Sequence, residues 1–200
     1  MTSTVGHGKL IVLSGPSGSG KSTVIDRVLA TGDLPVRRSV SVTTRHPRPG
    51  ERDGVHYYFW TAEQFETALR NGEFLEWAEI HGHRYGTLRR EVERHWQEGC
   101  WVLLEIDVQG ARQIHTLFPD AVTIFLRAPD LAEYERRLRQ RGTENETSLQ
   151  RRLEAIQREL AESHHYQYQL VNCKLDETVV ELRRLLEKII SQSSPIQKGG

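Results

Sequence analysis

Cysteine is scarce in this sequence, and neither sign of charge is in excess. Lys and Arg together number 27, as do Asp and Glu, so the formal net charge is zero. That balance excludes a whole-surface electrostatic grip on nucleic acid or an anionic membrane and leaves only local basic clusters to consider. The two cysteines, Cys100 and Cys173, lie far apart with no partner spacing. Each sits in or beside an apolar run, so both are expected to be reduced, mostly buried thiols of a cytoplasmic protein. No apolar stretch approaches the roughly 20 residues that cross a bilayer. Polar Met1–Lys9 lacks the apolar centre of a signal peptide. The histidine pairs His81/His83 and His164/His165 have no cysteine or carboxylate at tetrahedral-site spacing, so they read as loop and helix-surface residues rather than zinc ligands. Internal repeats are lacking as well.

What is present is an alternation of strands and helices. Leu10–Leu13 is short, apolar and followed at once by glycine, as expected of a buried parallel strand. Val24, Ile25, Val28 and Leu29 then share one helical face. Trp101–Ile106, Val122–Leu126 and a weaker run at Gln169–Val171 read as further strands. Leu88, Val92 and Trp96, and later Leu175, Val179, Leu182, Leu186 and Ile190, repeat at helical spacing. The pattern predicts an α/β fold with a parallel sheet covered on both faces. Two stretches interrupt it. Ser39–Thr87 is rich in Thr, Tyr, Arg and Gly and carries a helix at Phe65, Ala68 and Leu69 and a strand within Tyr57–Trp60. Pro129–Arg158 crowds arginines among glutamates. Both read as insertions, one presenting a pocket and the other presenting arginines, while Ser191–Gly200 reads as a disordered tail.

The turn after the first strand carries the strongest signal. Gly15-Pro16-Ser17-Gly18-Ser19-Gly20-Lys21-Ser22, followed by Thr23, fits G-x-x-x-x-G-K-[ST] between a strand and a helix. Glycines let the backbone turn so that successive N–H groups face phosphate oxygens, and the helix that follows adds the positive end of its dipole. Lys21 is expected to reach the β- and γ-phosphates of ATP, and the Ser22 hydroxyl to ligate Mg²⁺. An ordinary glycine-rich turn is the competing reading, and the strand–helix context weighs against it. The cradle leaves the acceptor open, because GTPases, motor ATPases and small-molecule kinases share it.

Arg45 and Arg48 flank a proline, which favours an extended or turned chain presenting two guanidiniums together. Alone, this is a solvated basic loop. With Gly54-Val55-His56-Tyr57, Phe74-Leu75-Glu76-Trp77, His81-Gly82-His83-Arg84-Tyr85-Gly86-Thr87 and Leu104-Glu105-Ile106-Asp107-Val108-Gln109-Gly110, however, the chain closely resembles guanylate kinases from about Lys9 to about Leu186. The resemblance implies a P-loop NTPase-type core (1–38, 88–128 and 159–190), a GMP-binding subdomain (39–87) and an arginine-rich helical lid (129–158). It implies transfer of the γ-phosphoryl group of ATP to GMP, with dGMP as a second acceptor and neither nucleic acid nor membrane as partner. Arg45, Arg48, Tyr57 and Tyr85 fall to the GMP phosphate and Ser41, Glu76 and Thr87 to guanine, with Gly86 also in the GMP site. Asp107 lines the same site or, as in other P-loop enzymes, attends magnesium. Glu76 suits guanine on chemical grounds, since one carboxylate accepts from N1–H and N2–H₂ together, a donor pair adenine lacks. Its plainer reading is a surface charge beside a buried Trp77.

In the second insertion, Arg137 through Glu144 and then Arg152-Leu153 match the family's R-L-x-x-R-G-T-E…R-L pattern. The resemblance thereby implies Arg137, Arg141 and Arg152 on the triphosphate, with Arg136, Arg139 and Arg151 left to solvated helix pairs. The chain departs from the family near its end. Tyr166-Gln167-Tyr168 stands for Y-D-Y and Asn172-Cys173 for N-D, so an adenine contact by Asn172 has altered neighbours. Two other readings are a kinase for a different small phosphorylated acceptor and a guanylate-kinase-like module that binds protein ligands. The second typically loses the cradle, which is intact here.

Overall fold

The computed structural model describes residues 9–140 and 146–193. In chain order its elements are β1 (Leu10–Ser14), α1 (Lys21–Leu29), β2 (Val36–Arg38), β3 (Val42–Thr43), β4 (Tyr58–Phe59), α2 (Ala62–Arg70), β5 (Phe74–Ile80), β6 (His83–Leu88) and α3 (Arg89–Gln97). There follow β7 (Trp101–Glu105), α4 (Val108–Leu117), β8 (Val122–Arg127), α5 (Leu131–Gln140), α6 (Glu146–Ala161), β9 (Tyr168–Val171) and α7 (Leu175–Ser193).

Five of the strands form one sheet in the order β2-β7-β1-β8-β9, with every neighbouring pair parallel. β1 takes the centre because all its side chains are buried. At roughly 1.5–3 kcal/mol for each fully buried aliphatic side chain, no other placement of this run competes. Its alternation divides the core. Ile11 and Leu13 face α1 and α7 through Val24, Ile25, Val28, Leu182 and Leu186. Leu10 and Val12 face the opposite side, where Val92, Ala111 and Ile114 pack. Helices thus cover both faces, as the alternation of periods requires.

A second sheet, ordered β4-β3-β6-β5, is built from the first insertion. It packs on α2 through Val42, Phe65, Ala68, Phe74 and Leu88, with Phe65 and Phe74 stacked at 4.4 Å. Thr61 starts α2 with a capping box, its side chain accepting from the Gln64 N–H while Gln64 bonds back. In the second insertion α5 and α6 pack through Tyr134, Leu138, Leu149 and Ile156. The Tyr134 hydroxyl, accepting from the Ala128 N–H at 3.0 Å, ties this pair to the end of β8.

Several sequence expectations need correction. β2 has a single buried apolar residue, Val36, and owes its strand geometry to pairing with β7, a tertiary effect. α4 escaped notice because its buried positions are Gly110, Ala111 and Ile114, a weak apolar signal. Helix α7 continues through Ser193, into the stretch read as a disordered tail; residues 194–200 lie outside the described residues. Cys173 is exposed and Cys100 only partly buried, so neither is the core thiol expected. No helix among the described residues is long and apolar enough to cross a membrane.

Candidate active site

A cleft of about 520 Å³ runs from the turn after β1 to the second sheet, lined at one end by Gly15, Lys21 and Ser22 and at the other by Arg45, Glu76 and Tyr85. The turn is made possible by glycine. Gly15 has φ +140°, and a Cβ there would lie 2.0 Å from the Leu126 carbonyl oxygen of β8, so only glycine lets the chain leave the sheet at this point. Gly20, at φ +94°, closes the turn and caps α1. The Lys21 ammonium donates to the carbonyl of Gly15 and, at 3.2 Å, to that of Pro16, which folds it across the loop. Pro16, Ser17, Gly18, Ser19 and Thr23 complete the turn and the start of α1, and Ser17, Gly18 and Thr23 also line the cleft.

Ser22 has a partner that the motif did not announce. Its hydroxyl donates to Glu105 Oε1 at 2.6 Å, and the other oxygen of Glu105 is paired with Arg38 at 2.7 Å. Arg38 also reaches Asp26 at 2.8 Å. Glu105 ends an apolar strand two residues before Asp107, and that position was its one sequence signal. A hydroxyl and a carboxylate make a hard-oxygen donor set that suits Mg²⁺, an ion that keeps several waters and takes the rest of its shell from substrate phosphates. No cluster of three or more acidic, His or Cys residues that could hold a metal occurs among the described residues.

Of the matched lid arginines, Arg152 lines the cleft. Arg137 does not line it. Its Nη1 donates to the carbonyls of Gly18 and Ser19 at 3.1 Å each, its Nη2 to the Asn172 carbonyl at 2.9 Å, and its Nε to Glu133 at 2.6 Å. Asn172 likewise grips the outside of the loop. Its amide donates to the Ser19 carbonyl at 2.8 Å and accepts from Thr178 at 3.2 Å. Both residues thus brace the cradle from behind, with their polar groups already engaged. Arg141 lies outside the described residues. Glu159, one of the cleft residues passed over at the sequence level, projects from α6; burial pushes its carboxyl up to about 7, with Lys21 opposing and nearby Asp107 reinforcing the shift.

At the acceptor end, β5 carries Glu76 inward. It is 4% exposed and Trp77 is the half-buried neighbour, the reverse of the plainer sequence reading. A register shift between Phe74 and Glu76 accompanies this placement. Thr87, opposite on β6, donates its hydroxyl to Glu76 Oε1 at 2.6 Å. Gly110 of α4 leaves room for the other oxygen, since a Cβ there would meet Glu76 Oε2 at 2.2 Å. Burial pushes the Glu76 carboxyl up to about 7; the Thr87 bond pulls the other way and the charge of Asp107 adds to the rise. Asp107 is the N-cap of α4, accepting from the Gly110 N–H at 2.9 Å, and also lines the cleft. Ser41, Arg48, Tyr57 and Gly86 complete this end. The Tyr57 and Tyr85 rings meet edge-on at 6.0 Å, and burial pushes the Tyr57 hydroxyl up to about 12, so it stays a hydrogen-bond donor at neutral pH.

A glycine-rich phosphate loop opening a parallel sheet, set across one cleft from an arginine- and carboxylate-lined pocket on an inserted sheet, defines a P-loop phosphotransferase. Comparison with known proteins narrows this. The family model described as guanylate kinase matches residues 7–189. A guanylate kinase of Desulfitobacterium hafniense is 47% identical over 181 residues, 90% of each chain, and one of Rubrobacter xylanophilus is 45% identical over 94% of this chain and 98% of its own. The crystal structure of guanylate kinase from Anaplasma phagocytophilum aligns with a TM-score of 0.74 and 34% identity, covering 91% of this chain and 86% of that one. The chain belongs to the guanylate kinase family.

Proposed function

We infer that the chain transfers the γ-phosphoryl group of ATP to GMP, giving ADP and GDP. The observation that carries the choice of acceptor is the buried Glu76–Thr87 pair at the far end of the cleft that begins at Lys21. Glu76 accepts from guanine N1–H and N2–H₂, with Ser41 and Thr87 beside it. Adenine would leave the carboxylate buried and unpaired, and a site built to bond a group rejects analogues lacking it by about 10⁴–10⁵-fold. Arg45, Arg48, Tyr57 and Tyr85 take the phosphate of GMP. None of these contacts requires the ribose 2′-hydroxyl, so dGMP is also an acceptor.

ATP lies with its phosphates on the N–H groups of Gly15–Thr23. Ser22, with Glu105 behind it, would hold magnesium, which would supply neutralisation of phosphate charge. The attacking group is a phosphate oxygen that is already anionic, so no general base is needed and catalysis is alignment plus charge stabilisation. Lys21 leaves the carbonyls of Gly15 and Pro16 for the incoming phosphates. Arg152 and Arg141 neutralise the group in transfer, and Arg137 holds the loop that presents it. Closure of the lid keeps out water, a competing acceptor. Asp107, capping α4 beside Glu76, is assigned to the acceptor side.

The test is a coupled assay with Mg·ATP across GMP, dGMP, AMP, CMP and UMP. GMP is expected to be turned over fastest, with dGMP following. Equal turnover of AMP would refute the role of Glu76.

A further inference from the structure

Arg45 and Glu51 form an ion pair that the reaction as described does not use. Glu51 accepts from Arg45 twice, Nη1 to Oε2 and Nη2 to Oε1, both at 2.9 Å. Its Oε2 also accepts the backbone N–H of Arg48 at 2.7 Å, and the Glu51 N–H returns a bond to the Arg48 carbonyl at 3.0 Å. The two side chains are only 11% and 17% exposed. The rings of Tyr57 and Phe59 flank the guanidinium at 5.5 and 5.8 Å. An exposed pair contributes little; this one is forked, shielded and anchored in a tight turn.

Counting donors shows what the pair accomplishes. A guanidinium has five N–H groups in a rigid plane. Those on Nη1 go to Glu51 and, at 2.7 Å, to the His46 carbonyl. The inner N–H of Nη2 goes to Glu51. What Glu51 and His46 leave is one edge, the outer N–H of Nη2 and the N–H of Nε, and the Tyr85 side chain also hydrogen-bonds to the guanidinium. Among the described residues the Nε atom is buried without a hydrogen-bond partner. A buried N–H lacking an acceptor is unfavourable, so the edge is built for an acceptor that arrives with a ligand. Two parallel N–H groups match two oxygens of one phosphate.

We propose that Glu51 is a positioning residue for the acceptor phosphate: by filling the end-on edge of Arg45 and fastening the turn that carries Arg48, it leaves the Nε–Nη2 edge of Arg45 as the one that receives GMP. Glu51 itself touches no substrate. The proposal rests on the reading of Arg45 as a phosphate ligand, and the experiment separates the two.

Glu51→Gln keeps the side chain's shape but sets an amide N–H₂ against an arginine N–H. KM for GMP should rise about 10–100-fold, the range expected when a charge-assisted hydrogen bond is lost, while KM for ATP and kcat change less than about two-fold. Lysine has no edge to orient. In an Arg45→Lys background, Glu51→Gln should therefore add less than about two-fold, with thermal melts confirming that all variants fold. An equal penalty in both backgrounds would show Glu51 to be a turn residue only and overturn the proposal. So would an unchanged KM in the single variant, or a lower one, which would mean that the carboxylate competes with the phosphate. If Arg45→Lys alone left KM for GMP unaltered, the fault would lie in the reading of Arg45.

Discussion

On the proposed reading, the two ends of the cleft bind phosphorylated ligands by different means. The donor end is a single run, Gly15–Thr23, in which backbone N–H groups do the binding and glycines at φ +140° and +94° shape the path. The acceptor end is assembled from β3, β5, β6 and the loop after β3, and side chains do the binding: Glu76 against Thr87, Arg45 against Glu51. Backbone recognition needs little beyond the right turn, and it reads charge but not the base. Side-chain recognition needs buried polar groups held in place by neighbours, and it can tell one base from another. Generality therefore sits where the chain is contiguous, and specificity where it is dispersed.

The sharpest way to break this contrast is at the cradle's own charge. Lys21→Ala should lower kcat by at least about 10²-fold, as for other losses of a group that stabilises transition-state charge. GMP binding measured by calorimetry should stay unchanged, and a parallel loss of GMP binding would mean that the two ends are not separable. Next in size, Glu76→Gln should weaken GMP by about 10²-fold through loss of a buried charge-assisted contact and leave KM for ATP alone; an unaltered GMP-to-AMP preference would remove Glu76 from base recognition.

Glu76 also supplies a pH test. Burial pushes its carboxyl up to about 7, whereas binding guanine requires the carboxylate. GMP affinity should therefore climb up to about ten-fold per pH unit below 7 and level off above it. The phosphate's own titration is common to wild type and Glu76→Gln, so the difference between their profiles isolates the residue. The stability effect has the opposite sense. Since the folded value is raised above the ordinary 4.5, the contribution of Glu76 is fully present at low pH and is lost as pH rises through about 7. The unliganded protein should lose stability over that window relative to Glu76→Gln in urea titrations. The smallest effect is expected from Thr87→Val, which removes one hydroxyl donor from a carboxylate. A loss of about three- to ten-fold in GMP affinity, with no change for ATP, would fit a supporting role.

Legibility followed the same division. The cradle could be read directly because strand, turn and helix are consecutive, and the spacing of Gly15, Gly20, Lys21 and Ser22 carries the geometry. Glu76 was named from family likeness, but its burial was not readable, since Trp77 next to it is the more apolar residue. Glu105 stood inside a quoted motif and Glu51 just beyond Arg48, both without a role, because their partners Ser22, Arg38 and Arg45 are identified by contact rather than by spacing. Arg137 was read for the triphosphate and Asn172 for adenine, but their bonds to the carbonyls of the phosphate loop were not legible.

Taken alone, the amino-acid order determines a parallel α/β core and a phosphate-binding turn, because apolar period and glycine placement are local properties that short-range sterics enforce. Tertiary structure decided which carboxylate is buried and raised, which edge of Arg45 is taken by Glu51, and that Arg137 and Asn172 bond to the carbonyls of the loop. Those outcomes depend on desolvation and on hydrogen-bond partners that come from elsewhere in the chain, and no local pattern encodes them.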